Sequence, residues 1–284
     1  MKICLALGFF DSVHIGHRQL LQANLEHARS KGATAVIHTF SNDISKFFGQ
    51  KQMYSFDRRK QLLSEYADLI ITSEFNQKLM ETAGVDFLDE LTNRYEIASF
   101  TCGYDYTFGK NAECNADDLV RYAKSKGKEC VVVKQQSVEG RKVSTTWIKE
   151  LLTDGDVQKA NYLLGKPFAI SGEVIHGKGL GGKNGFPTAN LSYDGFLPKY
   201  GVYKTYVYLD GKKYVAVTNV GTKPTFGDDS VTIEPMIIDF SEDIYGKSVT
   251  LEFVRFLRGV KSFSSPIELK EQINQDVKEA LCSE

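Results

Sequence analysis

Two histidines three residues apart, His14 and His17, close the stretch Gly8-Phe9-Phe10-Asp11-Ser12-Val13-His14-Ile15-Gly16-His17. Residues three apart near a helix start lie on one face and can meet the same ligand. A helix N-terminus adds unpaired N–H groups and a partial positive charge, so the ligand suited to such a pair is an anion, most often a phosphate. One histidine alone is more often an ordinary surface or core residue. Here the pair, the intervening Gly16 and the surrounding pattern agree on a site.

The elements that must position this pair follow from the pattern. The apolar run 3–7 reads as a buried strand and the residues from about 17 to 29 as a helix, so a glycine turn hands a strand over to a helix at the histidines. Further strand patterns at 34–40, 69–72, 97–102 and 130–134 alternate with helical patterns near 57–67, 85–95 and 116–127. Gly32 and Gly127 stand where helix C-terminal glycines belong. Val- and Ile-rich strands separated by helices predict βαβ units, a parallel sheet and an α/β domain of Rossmann-like type. Ligands then bind beyond the C-terminal strand ends, where the histidine stretch, Thr39–Phe40 and 102–109 all fall. The polar and aromatic tract 41–55 has no clear period and reads as a loop over the site.

From about Phe168 strand patterns follow closely, at 168–176, 203–209, 213–219, 232–239 and 249–256. Asp210-Gly211 between two of them signals a type I′ hairpin. Close strands with little helix between them predict an antiparallel barrel or sandwich. A last helix begins at Ser265-Pro266-Ile267-Glu268, with capping-box spacing and proline at the first helical position. Its expected packing stripe is Leu269, Ile273, Val277 and Leu281. The boundary is expected between Trp147 and Pro167, with the helical segment 145–164 closing the first domain and bridging to the second, giving domains 1–160 and 161–284.

Composition narrows the class. The chain has 284 residues, enough for two domains, with 42% hydrophobic and 25% charged residues, as in soluble globular proteins. A formal net charge of -1 gives no bulk reason to expect nucleic acid or an anionic membrane as partner. The basic cluster Arg58-Arg59-Lys60 reads as a solvated helix face. No run approaches the roughly 18 apolar residues of a membrane helix. The first residues enter a strand directly, leaving no room for a signal peptide. Five scattered cysteines without CxxC spacing argue against a zinc site or disulfide framework and point to a cytoplasmic protein with most of the cysteines as small core residues.

The second half carries its own chemical candidates. Gly177, Gly179 and Gly185 lie in a glycine-rich run with Lys178 and Lys183. Such a run is more often a flexible loop, and with no helix after it this one is not a Rossmann fingerprint. Glycines nevertheless let backbone N–H groups approach phosphates, and the lysines add charge. In the extended segment that follows, Thr188 and Asn190 point to one face and offer oxygen ligands of the kind Mg²⁺ prefers. Glu234 lies in a strand pattern, where a carboxylate is usually a solvated edge residue. Ser144 and Thr145 open a helix and on their own are equally plain N-caps.

Taken together these segments resemble one family. Leu7–His17 resembles the HxGH signature of nucleotidylyltransferases, and its wording is similar to the bacterial bifunctional riboflavin kinase/FAD synthetases. Gly103-Tyr104-Asp105-Tyr106-Thr107-Phe108-Gly109 resembles that family's GxDFxFG loop, and Val143-Ser144-Thr145-Thr146-Trp147-Ile148-Lys149 its ISSTxIR segment. Phe186-Pro187-Thr188-Ala189-Asn190 resembles the PTAN motif of riboflavin kinases, and Asn219–Gly227 their NIGTRPTFGG segment. The resemblance implies a C-terminal barrel that phosphorylates riboflavin to FMN and an N-terminal domain that adenylylates FMN to FAD, with ATP as co-substrate and Mg²⁺ as cofactor. It implies nucleotide contacts from Gly8, Phe9, Phe10, Asp11, Gly16, Asp105, Ser144, Thr145, Lys149 and the lysine–glycine run, with catalytic roles for His14, His17 and Glu234.

The chain also departs from the pattern. Lys149 stands in place of arginine, which keeps the charge and loses the bidentate fork, a change of about 1–3 kcal/mol at a phosphate. Phe40-Ser41-Asn42-Asp43 replaces a stretch with a His-Pro pair, Ser12 a glycine, Lys223 an arginine, and Met236 the usual His or Tyr two residues after the glutamate. These departures make a riboflavin kinase with a weak or inactive adenylyltransferase the alternative expectation. A flavin-binding regulator without turnover would have no use for a base and metal ligands. A nucleotidyltransferase for another acceptor, such as a pantetheine phosphate, would leave the second half unexplained.

Overall fold

The computed structural model of the chain describes residues 1–175, 190–223 and 228–282. The chain divides after Thr145 into two units. In the first, β1 (Lys2–Leu7), β2 (Thr34–Phe40), β3 (Leu69–Ser73), β4 (Glu96–Gly103) and β5 (Glu129–Val133) form a parallel sheet in the order β3-β2-β1-β4-β5. Helices α1 (Ile15–Ser30), α2 (Phe56–Leu63), α3 (Gln77–Glu81), α4 (Gly84–Arg94) and α5 (Ala116–Ser125) lie between the strands in sequence.

β1 takes the centre because every residue from Ile3 to Leu7 is apolar and buried, as a sheet covered on both faces requires. Ile3, Leu5 and Leu7 join Leu88, Phe100 and Leu119 in the larger core. On the opposite face Cys4 meets Ala28, Ala33 and Ala35, small residues that let α1 lie close. Asn24 of α1 is buried there and donates to the carbonyls of Cys4 and Val36, both at 3.2 Å. The strand order reverses beside β1, and such a switch point opens a crevice at the C-terminal strand ends. Gly32 and Gly127 have φ of 59° and 65°, the left-handed conformation expected of them.

Two expectations need correction in this unit. The tract 41–55 is not simply a loop: Ser45–Phe48 forms a helical turn, and Met53 and Tyr54 are buried. Nor is Arg59 on a solvated face. Lys60 is exposed, but Arg59 lies with Phe56 and Leu63 on the inward side of α2 and is wholly buried. The apolar spacing of the helix overrides the charge because carbonyl acceptors wait inside.

The second unit opens with α6 (Thr145–Asp154, its first residue being the last of the first unit) and α7 (Val157–Leu164). Strands β6 (Phe168–Ile175), β7 (Asn190–Ser192), β8 (Gly201–Leu209), β9 (Lys212–Lys223), β10 (Asp228–Ile237) and β11 (Ser248–Arg258) form an antiparallel sheet in the order β7-β6-β11-β8-β9-β10. The edge strands β7 and β10 approach each other, so the sheet curls into a nearly closed barrel. Asp210 and Gly211, at φ 49° and 77°, make the expected tight turn. Asn161 of α7 ties the helix pair to the barrel, donating to Phe253 O at 2.8 Å and accepting from Phe168 N at 2.7 Å.

The terminal helix α8 (Pro266–Leu281) is capped by Ser265, which accepts from Glu268 N at 3.2 Å. The returning Glu268 carboxylate takes the N–H of Ser264 at 2.9 Å, one residue before the cap. Its packing face runs through Val277 and Ala280 onto Val202 and Val217, whereas Leu281 is 54% exposed and lies off the stripe expected for it. Polar ties do the rest. Arg258 grips Asp276 through bonds of 2.7, 2.9 and 3.1 Å, with Asp276 almost fully buried. Arg255 and Lys204 donate to the carbonyls of Glu279 and Cys282 at the negative end of the helix. Asp276→Ala strands a half-buried arginine and should destabilise this unit by about 3–5 kcal/mol. The single tryptophan, Trp147, is buried in the same unit, so urea unfolding followed by its fluorescence reads the loss. An unshifted midpoint would contradict the tether.

Candidate active site

The turn between β1 and α1 is built from close approaches. Phe10 has φ 54° and folds its ring back over Gly8, where a Cβ would stand 2.6 Å from the ring. Val13 also has positive φ, 48°. Thr39 Oγ1 donates to the Phe9 carbonyl at 2.8 Å, and Arg59 reaches the same carbonyl at 3.0 Å. The Asp11 carboxylate accepts the N–H of Met53 at 2.9 and 3.1 Å, anchoring the end of the 41–55 tract. Ser12 Oγ shares a hydrogen bond of 2.8 Å with Thr145 Oγ1, bringing together two segments 133 residues apart.

His14 is the N-cap of α1, its Nδ1 accepting from His17 N at 3.1 Å. The neutral ring therefore carries its proton on Nε2. The two imidazoles stack with centroids 3.7 Å apart and planes within 7°, and Phe10 meets His17 edge-on. Gly16 lies close beneath them, and a Cβ there would come 3.1 Å from His14 Cε1, so that ring would have to shift. Burial pushes the pKa of His14 down to about 4, and burial together with the neighbouring His14 and Lys142 holds His17 well below its ordinary value. Both rings are neutral at pH 7. The Nδ1 of His17 is buried without a hydrogen-bond partner among the described residues.

A cavity of about 230 Å³ opens over this pair, lined by His14, Gly16, His17, Gly103, Asp105, Lys142, Ser144 and Thr145 among others. Of the residues singled out from the sequence in this unit, His14, His17, Gly16, Asp105, Ser144 and Thr145 thus meet at one place. Gly8, Phe9, Phe10 and Asp11 form the turn beside it. The 103–109 loop reaches the cavity because Phe108 is sunk in the core and Tyr106 stacks on it at 5.4 Å. Lys142 was not anticipated. Its ammonium pairs with Asp105 Oδ2 at 2.5 Å and lies 5.1 Å from the Tyr104 ring centre. A short hairpin turning at Glu139-Gly140, φ 51° and 76°, delivers it there. That turn, two strand residues before the segment that opens at Val143, was the available signal. Lys149 belongs to the second unit, where its ammonium lies 5.7 Å from the Phe196 ring centre.

Neutral imidazole N–H, a helix N-terminus, two hydroxyls and one lysine, in a crevice at the switch point, are groups whose chemistry suits an anion. Nearby, Phe40 and Phe75 pack edge-on at 5.0 Å, with Phe48 beside Phe75 and 59% exposed. These rings form an apolar shelf.

In the second unit, Asn190 opens β7 and is 9% exposed, and Glu234 stands opposite Asn219 on β10. These two strands face each other across the barrel seam. Glu234 alternates with buried Ile233 and Pro235 and so shares the face of Met236, which packs against the α8 cluster. Pro235 is accommodated because β10 is a hydrogen-bonding edge. Gly177, Lys178, Gly179, Lys183, Gly185 and Thr188 lie outside the described residues. No group of three or more His, Cys, Asp or Glu is placed to hold a metal among the described residues. The oxygen donors of Asn190 and Thr188 match Mg²⁺ chemistry, so the residue types fit that ion alongside nucleotide phosphates.

Comparison with known proteins follows the same division. Residues 1–147 match the FAD synthetase family and residues 164–283 the riboflavin kinase family. The bifunctional riboflavin kinase/FMN adenylyltransferase of Bacillus subtilis is 31% identical over 295 aligned residues, covering 99% of this chain and 92% of that protein. The protein of the same description from Haemophilus influenzae is 32% identical, covering 97% and 92%. A crystal structure described as a macrolide-efflux protein from Streptococcus pneumoniae superposes with a TM-score of 0.90 at 28% identity, covering 100% of this chain and 95% of that one. Among the described residues here, no helix is long and apolar enough to cross a membrane. With both halves matched in order and relatives above 30% identity along nearly the whole length, the chain belongs to the bifunctional riboflavin kinase/FMN adenylyltransferase family.

Proposed function

We propose that the second unit transfers the γ-phosphoryl group of ATP to the 5′-hydroxyl of riboflavin, and that the first joins the resulting FMN to the adenylyl group of a second ATP. The observation that carries the reading is the match of each half to its own family, each with an arrangement suited to the corresponding step.

In the first unit an FMN phosphate oxygen attacks the α-phosphorus of ATP. A new P–O bond forms, the bond to the bridging oxygen breaks, and pyrophosphate leaves. Charge builds on the α-phosphate oxygens, and preset donors stabilise it without reorganising. His14 and His17 as neutral donors, the α1 N-terminus, Ser144 and Lys142 supply them. Asp105 holds Lys142 in place, and the shelf of Phe40, Phe75 and Phe48 takes the flat flavin ring. In the second unit Glu234 orients the riboflavin hydroxyl and accepts its proton. The glycine run with Lys178 and Lys183 would cradle phosphates, and Thr188 and Asn190 would hold Mg²⁺, whose chemistry there would be to neutralise phosphate charge. Lys149 remains a candidate phosphate contact at reduced strength.

The deciding experiment is one incubation of the protein with riboflavin, ATP and Mg²⁺, with flavins separated over time. FMN followed by FAD is expected; no FMN would sink the reading. The steps should separate by substitution. Glu234→Gln should cut FMN formation by about 10²–10⁴-fold and leave FAD formation from supplied FMN unchanged. Lys142→Met should lower FAD formation by about 10- to 100-fold, the loss of a charged hydrogen bond of roughly 1.5–3 kcal/mol, and spare FMN formation. Equal losses in both steps for either variant would contradict the assignment.

Buried neutral histidines also set a pH dependence. His14 and His38, the latter in β2 with its Nε2 2.9 Å from Ser73 Oγ, are pushed by burial to about 4, and His17 is shifted the same way. Between pH 6.5 and about 4 the unfolded chain binds more protons than the folded one, so stability is full above 6.5 and falls as pH drops through that window. The slope is up to about 1.4 kcal/mol per pH unit for each histidine. Hydrogen exchange of α1 amides at pH 7, 6 and 5, corrected for intrinsic rates, should show the fall; a flat profile would contradict neutral burial.

A further inference from the structure

Arg59 has no place in the chemistry above, yet it is one of the most completely buried side chains in the protein. Burying a guanidinium is costly unless its donors are satisfied. Here Nη1 and Nη2 are spent on one small region, whereas Nε has no hydrogen-bond partner among the described residues. Nη1 donates to the Phe9 carbonyl at 3.0 Å and to Thr39 Oγ1 at 3.1 Å, and Nη2 donates to the Phe40 carbonyl at 2.8 Å. The guanidinium carbon lies 4.5 Å from the centre of the Phe9 ring and 5.6 Å from that of Phe56. Burial pulls the group down to about 10, with Asp11 and Asp43 opposing, so it stays charged at neutral pH.

Two strand ends are therefore held by one planar fork: the turn leaving β1 at Phe9 and the end of β2 at Phe40. The consequence for the site follows from peptide geometry. Carbonyl and N–H of a trans peptide point in opposite directions. With the Phe9 carbonyl drawn inward by Arg59 and Thr39, the Phe10 N–H of the same peptide is turned away from the guanidinium. It enters the turn that ends at His14 and leads into the α1 N-terminus. Phe10, at φ 54°, cannot relax out of this orientation while the fork holds.

We propose that Arg59 is a positioning residue for adenylyl transfer: by fixing the Phe9–Phe10 peptide, it presets the backbone donors and the histidine pair for the charge that develops on the α-phosphate. The proposal rests on the adenylyltransferase reading of this site. Lysine can keep the charge but cannot hold both carbonyls with one rigid group.

The test is steady-state kinetics of FAD formation from FMN and ATP for the full-length parent, Arg59→Lys and Thr39→Val, with riboflavin phosphorylation measured in the same preparations. Arg59→Lys should lower kcat by about 10- to 100-fold, leave KM for ATP within about threefold, and leave FMN formation unchanged. Thr39→Val, which removes only the hydroxyl shared by Arg59 and Phe9, should move kcat the same way by a smaller factor. Circular-dichroism melting sets the folded fraction at assay temperature. A kcat loss no larger than the lost folded fraction would make Arg59 purely structural and overturn the proposal. So would parent-like kcat, or a loss confined to KM. A parent that makes FMN but no FAD would overturn the adenylyltransferase reading itself, and this proposal with it.

Discussion

Phe10 and Val13 hold backbone conformations that L-residues adopt at a cost of roughly 1–2 kcal/mol each, and the first unit is arranged to keep them there. Left alone, a chain leaving β1 would relax into an ordinary turn and α1 would start elsewhere. It does not relax because every neighbour of the turn is tied off. Phe10 covers a glycine, Phe9 gives its carbonyl to two donors, Asp11 grips the backbone of residue 53, and His14 caps the helix that follows. Strain of this kind persists only where the surroundings overdetermine it. The histidine stack and its orientation over the cavity depend on that turn.

Electrostatics in this protein are local. A chain of net charge -1 that handles nucleotides has no broad positive field with which to gather them. It relies on donors preset in a confined crevice. The two rings stay neutral because they are buried, so they offer N–H groups without bringing further charge beside Lys142. In the second unit three of the described cations serve architecture instead. Lys204, Arg255 and Arg258 are spent on the carbonyls and the one buried carboxylate of α8.

Much of this was legible in the residues. Strands of continuous Val, Ile and Leu, helices ending in glycine, and the Asp-Gly hairpin are local signals, and the five parallel and most of the antiparallel strands follow from them. The histidine pair was legible because its spacing coincides with a strand-to-helix handover. Less legible were features that depend on what lies across space. Arg59 looks like surface charge until Phe9 and Phe40 supply acceptors, although its spacing from Phe56 and Leu63 already put it on the apolar side. Lys142 is an ordinary hairpin lysine until Asp105 faces it. Helices α6 and α7 read as the close of the first domain because nothing local tells that Asn161 will bond to Phe168 and Phe253. The stretch around Thr188 was the sharpest resemblance in the chain and lies outside the described residues.

Thr145 has a double membership with a practical consequence. Its hydroxyl bonds to Ser12 and lines the cavity of the first unit, while its backbone is the opening residue of a helix whose remaining turns belong to the second. Genetic dissection of the two activities therefore has no neutral cut at this junction. A fragment ending at 145 keeps the hydroxyl but loses the helix that orders it, and one beginning at 146 starts inside that helix without its first turn. Overlapping fragments that both retain 145–164 keep the Ser12–Thr145 bond in one and the whole helix in the other.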